Sequence, residues 1–249
     1  MDPAGRAALI TGGGTGLGRA IALELARRGA DLVLDYSRSA AEAAATAAEA
    51  RALGVRALAL QADVANNAEV RGLVARAEGE LGRLDLLVCN AGVTRYAPLA
   101  DLDALTEAEW DRILAVNVRG AFSCARAAAP ALRRGGGAIL NVSSNSGLMP
   151  AGSSLPYVVS KAMLIMLTKC LAAALAPEVR VNALAPGFIL GTRWLERVFP
   201  PDVRRRLLEE SPTPPVPVDD VARAALLLLE NDSITGQTLV VDNGEVLLT

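Results

Sequence analysis

The sequence predicts an α/β fold: one doubly wound domain over residues 1–249, with a mostly parallel seven-stranded sheet and helices on both faces. Three observations carry that expectation. Apolar runs of strand length alternate with segments of helical periodicity along the whole chain. The strand runs are nearly continuous in apolar residues rather than alternating, as in strands covered on both sides. A glycine-rich turn, Thr11-Gly12-Gly13-Gly14-Thr15-Gly16-Leu17-Gly18, separates the first strand from the first helix. No linker, repeat or low-complexity stretch breaks the alternation.

Taken in order, Ala7 to Thr11 is a buried strand that runs into the glycines. Gly16 to Arg28 has a helical pattern that stops at Arg27, Arg28 and Gly29. Asp31 to Tyr36 is the second strand, and Ala40 to Leu53 an alanine-rich helix closed by Gly54. Val55 to Leu60 is the third strand, followed by a helix over Ala68 to Leu81. Leu84 to Cys89 is the fourth strand, and a long helix covers Glu107 to Leu132. Ala138 to Val142 is the fifth strand, Pro156 to Leu175 a helix, and Val179 to Leu184 the sixth strand. The proline-flanked segment Arg193 to Leu208 is loosely patterned and is expected to form part of a small substrate lid at about 188–212. Asp219 to Leu229 is helical, and Thr238 to Val241 is the last strand.

Composition removes whole classes of chemistry. There is no histidine, which excludes Ser-His-Asp triads, histidine bases and histidine metal ligands. Cys89, Cys124 and Cys170 are odd in number and widely spaced, which fits a reducing cytosol and no zinc site. A net charge of −2 gives no reason to expect nucleic-acid binding. The N-terminal stretch lacks a basic and then apolar leader pattern, and Lys169 interrupts the best membrane-length apolar run. The expectation is a cytoplasmic protein that neither spans a membrane nor binds nucleic acid.

Four constellations carry candidate chemistry. The glycine turn lets backbone approach a pyrophosphate at a helix N-terminus, where unpaired N–H groups and the helix dipole favour an anion; tight packing alone is the other reading. Asp63-Val64 follows the third strand, where the carboxylate either accepts from an adenine amino group or caps the next helix. Asn90-Ala91-Gly92 follows the fourth strand, at the carboxyl edge where open α/β sheets bind ligands, or is simply a turn. Tyr157 and Lys161, four residues apart, share one helix face, so a cation stands beside a phenol that ordinarily titrates near ~10. Such a neighbour lowers a phenol pKa, and Ser144 is spaced to come from a neighbouring strand end and bond a substrate oxygen. Asn117, mid-helix between Val116 and Val118, wants a backbone carbonyl or an ordered water as partner.

With TGGGTGLG, Asp63-Val64, Asn90-Ala91-Gly92, Asn117, Ser144, the run Tyr157 to Lys161, Pro186-Gly187 and Thr235-Gly236 in order, the chain resembles the short-chain dehydrogenase/reductase family from end to end. Its pattern is most similar to the 3-oxoacyl-carrier-protein-reductase-like branch. The resemblance implies a Rossmann domain and a tetrad of Asn117, Ser144, Tyr157 and Lys161. In it Tyr157 is the acid/base, Ser144 orients the carbonyl, Lys161 holds the nicotinamide ribose and lowers the tyrosine pKa, and Asn117 anchors a water. It further implies cofactor contacts from Gly12, Gly14, Thr15, Gly16, Leu17, Tyr36, Ser37, Arg38, Asp63, Val64, Asn90, Ala91, Gly92, Pro186, Gly187, Ile189 and Thr192, besides Tyr157 and Lys161.

Two departures from the family pattern bear on this. Thr192 stands five residues after Gly187 rather than four, which changes the loop that meets the nicotinamide. At the end of the second strand Tyr36 replaces the acid of NAD-specific members, with Asp35 one residue before it. Ser37 and Arg38 suit a 2′-phosphate, so NADP(H) is favoured and NAD(H) is possible, although Thr15 replaces the arginine of many NADP users.

The expected function is a ketoreductase or dehydrogenase that moves hydride between nicotinamide and a carbonyl/alcohol pair. The alternative is a non-catalytic dinucleotide sensor or scaffold on the same fold; for a lyase or epimerase no residue speaks. Leu148, Met149, Leu155, Trp194, Leu195 and Phe199 suggest a largely apolar substrate, or equally lid and subunit packing. The run Met163 to Ala176 is apolar nearly all round, which predicts a homo-oligomer, a homotetramer by the resemblance.

Overall fold

Each apolar strand satisfies its backbone polar groups only by pairing, and the order of pairing places the site. The computed structural model describes residues 1–209, 211 and 213–248. Its strands are β1 (Ala7–Ile10), β2 (Asp31–Tyr36), β3 (Ala57–Gln61), β4 (Leu86–Cys89), β5 (Ala138–Val142), β6 (Arg180–Pro186), β7 (Ile189–Leu190), β8 (Val216–Pro217) and β9 (Thr238–Val241). Seven of them form one sheet in the order β3-β2-β1-β4-β5-β6-β9, with every pair parallel. A second sheet, β7 with β8, has no counterpart in the strands read from sequence; two residues per strand leave no periodicity to read.

The helices are α1 (Gly16–Arg27), α2 (Ala40–Ala52), α3 (Asn67–Leu81), α4 (Glu107–Leu114), α5 (Ala121–Gly135), α6 (Leu155–Leu175), α7 (Trp194–Val198), α8 (Pro201–Glu209) and α9 (Val218–Glu230). One sheet face is covered by α3, α5 and α6, through side chains such as Val70, Leu73, Ala125, Ala128, Leu164 and Leu171. The other is covered by α1, α2 and α9, through Ile21, Leu25, Ala47, Val221 and Leu228. Burial of apolar area on both faces at about 25 cal/mol per Å² is the main stabilising contribution.

The long helix expected over Glu107 to Leu132 is interrupted. A capping box of Thr106 and Glu109 starts α4. A π-helical segment, Ala115–Gly120, then precedes α5, which ends at Gly136 in the left-handed region. Such a segment widens the turn by one residue and frequently marks a functional position. Asn117 lies inside it.

The segment Arg193 to Leu208 folds as α7 and α8, and the expected lid boundary at Pro212, with Glu210, lies outside the described residues. Helix α6 has 21 residues and a mean hydropathy of 1.8, enough to cross a membrane by length and composition, because Lys161 and Lys169 do not outweigh the surrounding leucines and methionines. Its inner face nevertheless packs into the protein: Tyr157, Ser160, Lys161, Leu164, Thr168 and Leu171 are buried, at helical spacing.

Candidate active site

Strand order reverses between β1 and β4, and the crevice beyond their carboxyl ends is where such sheets take ligands. The register aligns Ile10 with Val88 and Val88 with Leu140, so the residues that follow all three strands reach one edge. There the glycine turn is fixed by side chains. The Asn90 amide donates to the carbonyls of Thr11 (2.9 Å) and Gly12 (3.1 Å). The Thr11 hydroxyl accepts from the Asn90 and Ala91 N–H groups, each at 3.0 Å. Asn90 is therefore a staple between β4 and the turn, a stronger role than either sequence reading gave it. Thr11 belongs to the same device and went unassigned.

Gly12 and Gly16 occupy the left-handed region (φ +63° and +53°), and a Cβ on Gly18 would stand 2.4 Å from the Gly12 carbonyl oxygen. Gly14, expected at the cofactor, instead faces α2, where a Cβ would meet the Ala43 Cα at 2.7 Å. At the start of α1, Thr15 makes no side-chain cap, so the first N–H groups of the helix have no side-chain acceptor.

From this turn a cavity of about 640 Å³ runs to Tyr157 and α7. Its walls include Gly12, Thr15, Gly16, Leu17, Tyr36, Ser37, Asp63, Val64, Asn90, Ala91 and Gly92 among the expected cofactor residues. That volume lies in the range of cofactor and ligand sites. An uncapped helix start, glycines that admit close backbone approach and a cavity of this length fit a pyrophosphate-linked dinucleotide. Arg38 is exposed and stands outside the wall, close enough to lower the Asp63 pKa.

Two carboxylates at this end have surroundings that the sequence did not show. Asp63 neither caps a helix nor points away unpaired: Asn66 caps α3, and Arg112 of α4 donates to Asp63 at 2.9 and 3.3 Å. Burial opposes its charge, but Arg112 and the Ala65 N–H prevail and hold it below the usual carboxylate range. Asp35 is a buried part of the wall, and its Oδ1 has no hydrogen-bond partner. Burial pushes it up to about 7, against the bonds from the Gly12 and Ala62 N–H groups.

The opposite end carries the expected tetrad. Ser144 follows β5, and its hydroxyl bonds Tyr157 while contacting the Asn145 Oδ1 and Pro186 carbonyl at 3.3 and 3.4 Å. The Lys161 ammonium donates to the Val142 carbonyl at 2.8 Å and lies 5.5 Å from the Tyr157 ring centroid. The Ser143 hydroxyl returns a bond to the Lys161 carbonyl at 2.8 Å, and Gly147 has no side chain where a Cβ would stand 2.7 Å from Lys161 C. Asn117 is satisfied by protein alone. Its Nδ2 donates to the Val93 carbonyl and Ser160 Oγ, both at 3.0 Å, and its Oδ1 accepts from the Val93 N–H at 2.8 Å.

The expected lowering of the tyrosine pKa does not appear. Burial pushes Tyr157 up to about 12, with the Ser144 bond opposing, and burial brings Lys161 down to about 8. Desolvation disfavours both charged forms.

Over this wall lies α7. Tyr157 packs on Trp194 with ring centroids 6.1 Å apart, and Phe199 packs on Tyr96 and Phe188 at 5.5 and 6.1 Å. The extra residue before Thr192 is accommodated: Gly191 turns the chain at φ +78°, and Thr192 comes within 3.6 Å of a Cβ position on Gly16. Pro186, Gly187, Ile189 and Thr192 all line the cavity. Arg193 reaches across its mouth to Glu42 of α2 at 2.8 Å. Asn145 and Glu245 also line it, joined at 2.8 Å; Glu245 lies in the C-terminal tail, where no periodic pattern could have marked it.

Comparison with known proteins gives the same reading. The short chain dehydrogenase family profile matches residues 6–201. A ketoacyl reductase assigned to the granaticin polyketide synthase of Streptomyces violaceoruber is 42% identical, over 99% of this chain and 98% of its own. The 3-oxoacyl-[acyl-carrier-protein] reductase FabG of Staphylococcus epidermidis is 36% identical, over 96% and 98%. The crystal structure of a short-chain type dehydrogenase/reductase from Mycobacterium marinum superposes with a TM-score of 0.88 at 33% identity, over 98% of this chain and 96% of that one.

Asp35 generates a prediction that is independent of chemistry. Its folded pKa of about 7 lies above the ordinary aspartate value, so the folded state binds the proton more tightly. Stability should therefore fall as pH rises from about 4 to about 7 through this group. Asp35→Asn should flatten that dependence and stabilise the protein at about pH 8 by on the order of 2–4 kcal/mol. Urea unfolding at about pH 5 and pH 8 measures it; a variant with the wild-type slope would show that Asp35 is ionised at no cost.

Proposed function

Because this chain belongs to the short-chain dehydrogenase family and is a nicotinamide-dependent oxidoreductase, we propose that it reduces the ketone of a 3-oxoacyl thioester, with NADP(H) as the preferred cofactor. The observation that carries this reading is the stacking of Ser144, Tyr157 and Lys161 on one wall of a cavity whose lid is apolar. The relatives named for ketoacyl and 3-oxoacyl reduction support the substrate class.

The bound nicotinamide supplies the hydride. Gly12, Gly16, Asn90 and the N-terminus of α1 are the groups that would hold its pyrophosphate half, with Ser37 and Arg38 at the ribose end. Ser144 Oγ holds the substrate carbonyl oxygen, and the Tyr157 hydroxyl gives that oxygen a proton as negative charge develops. A phenol with a raised pKa suits the reductive direction. It stays protonated across the neutral range, and an alkoxide is a much stronger base than a phenolate. Lys161 keeps Tyr157 in place from below and presents its remaining N–H groups to the cavity. Asn117 pins the Val93 backbone and the Ser160 hydroxyl, which fixes α6 beside the wall. The segment 188–212 serves as the lid of a single domain, and the protein works in the cytoplasm.

Tyr157→Phe should lower kcat by ~10²–10⁴-fold, the usual contribution of general acid catalysis, while NADPH affinity stays near wild type. Steady-state rates and a fluorescence titration of NADPH test both halves, and a variant that keeps most of its kcat removes Tyr157 from the mechanism. In the same assay kcat/KM should decline from about pH 8 upward, because Lys161 loses its proton there while Tyr157 keeps its own. A profile flat to about pH 10 would show that the charge on Lys161 is not required.

Cofactor preference is checked by kcat/KM with both nucleotides. NADPH should be favoured, and Arg38→Ala should narrow the gap by about one to two decades, the value of a charge-assisted contact of roughly 1.5–3 kcal/mol. Equal use of NADH by the wild type would move the ribose contact away from Arg38.

We also propose a homotetramer. Leu164 and Ile165 of α6 are buried, but Met163 (44%), Met166 (58%) and Val159 of that helix are exposed, and Met163 shares a hollow with the exposed Phe122 of α5. Methionines and a phenylalanine grouped on one face are covered more stably by another subunit than by water. Sedimentation at micromolar concentration should give four times 25.8 kDa; a monomer that persists on concentration would refute it.

A further inference from the structure

The cavity carries, beside Ser144, a polar corner formed by Asn145 and Glu245 that the hydride-transfer scheme leaves unused. Asn145, the residue after Ser144, accepts from the Ser144 hydroxyl at 3.3 Å and donates to Glu245 Oε2 at 2.8 Å. Its Nδ2 also stands 3.5 Å from Asp242 Oδ2. Asp242 is spent locally: its oxygens accept the N–H groups of Gly244 and Val246, both at 2.9 Å, and shape the tail. Glu245 is half-buried, lines the cavity, and forms no ion pair with any arginine or lysine among the described residues. The other acids on the wall, Asp35 and Asp63, sit at the far end. Gly187 leaves the space: a Cβ there would stand 3.1 Å from Glu245 Oε2. A carboxylate held by one amide, beside a second carboxylate and without a cation, is an acceptor that favours donors and repels anions.

We propose that Glu245 is a specificity-determining residue of this reductase. It selects acyl substrates that present a hydrogen-bond donor, a hydroxyl or an ammonium group, on the side of the reacting carbonyl nearest Asn145, and it disfavours substrates with a carboxylate there. This rests on the reading of the cavity as the site of ketone reduction. The physical basis is asymmetric: a purely apolar end group strips water from Glu245 and returns no bond, whereas a donor replaces the water it displaces.

The test uses the full chain, NADPH and three 3-oxoacyl thioesters of equal length that end in a methyl, a hydroxymethyl or a carboxylate group. The wild type should prefer the hydroxymethyl substrate and use the carboxylate poorly. In Glu245→Met the hydroxymethyl-to-methyl ratio of kcat/KM should fall about tenfold and the carboxylate-to-methyl ratio should rise. Glu245→Gln, which keeps shape and one acceptor, should retain most of the first ratio and lose the discrimination against carboxylate. Ratios unchanged in both variants, or an equal loss with all three substrates, overturn the inference; the second outcome would make Glu245 a positioning residue acting through Asn145. A rise in the NADPH Kd with unchanged ratios overturns it too, by assigning Glu245 to the cofactor. A wild type that oxidises NADPH with none of the three overturns the proposed function, and this inference with it.

Discussion

The docking of α6 against the end of β5 is the constraint on which the site depends. Two bonds run in opposite directions between them: the Lys161 ammonium to the Val142 carbonyl, and the Ser143 hydroxyl to the Lys161 carbonyl, each at 2.8 Å. Gly147 removes the side chain that would hold the helix away. Because Ser144 follows directly on that strand, this contact fixes the phenol, the hydroxyl and the ammonium against one another in a single step. The arrangement is buried, so each polar partner must be satisfied or its desolvation goes uncompensated. Asn117 completes it from the third side, through Ser160 and the Val93 backbone. The π-helical segment delivers Asn117 to that position, since a regular helix would rotate it away by a fraction of a turn.

A second constraint is topological. Parallel order with a reversal between β1 and β4 leaves a gap at the carboxyl edge, and the Thr11–Asn90 staple sets the shape of the backbone there. Glycines serve two separate purposes within one motif. Gly12 and Gly16 supply left-handed backbone, whereas Gly14 and Gly18 supply the absence of a side chain at close contacts with α2 and with the turn itself. A sequence motif cannot distinguish these, because both demand the same residue.

That difference explains how much was legible beforehand. The succession of strands and helices, the doubly wound class and the meeting of Ser144, Tyr157 and Lys161 follow from periodicity and spacing, which are local properties. Partners brought from distant segments were not legible. Arg112 claims Asp63 from 49 residues away, and Glu245 meets Asn145 from 100 residues away. The tyrosine pKa was read from its neighbour four residues on, but its direction is set by burial, which no spacing reveals. The small sheet of β7 and β8 was beyond reach for the same reason.

The ion pair between Arg193 and Glu42 has a consequence for how the mouth of the cavity is held. It spans the mouth from the α7 segment to the cofactor half, and both partners are largely exposed to solvent. Exposed pairs contribute little and are screened within about 8 Å at physiological salt. The α7 segment is thus tied to α2 by a fastening that thermal motion can release without loosening the buried dock beneath it. That contact can open locally while the fold stays intact, and its strength is a function of ionic strength.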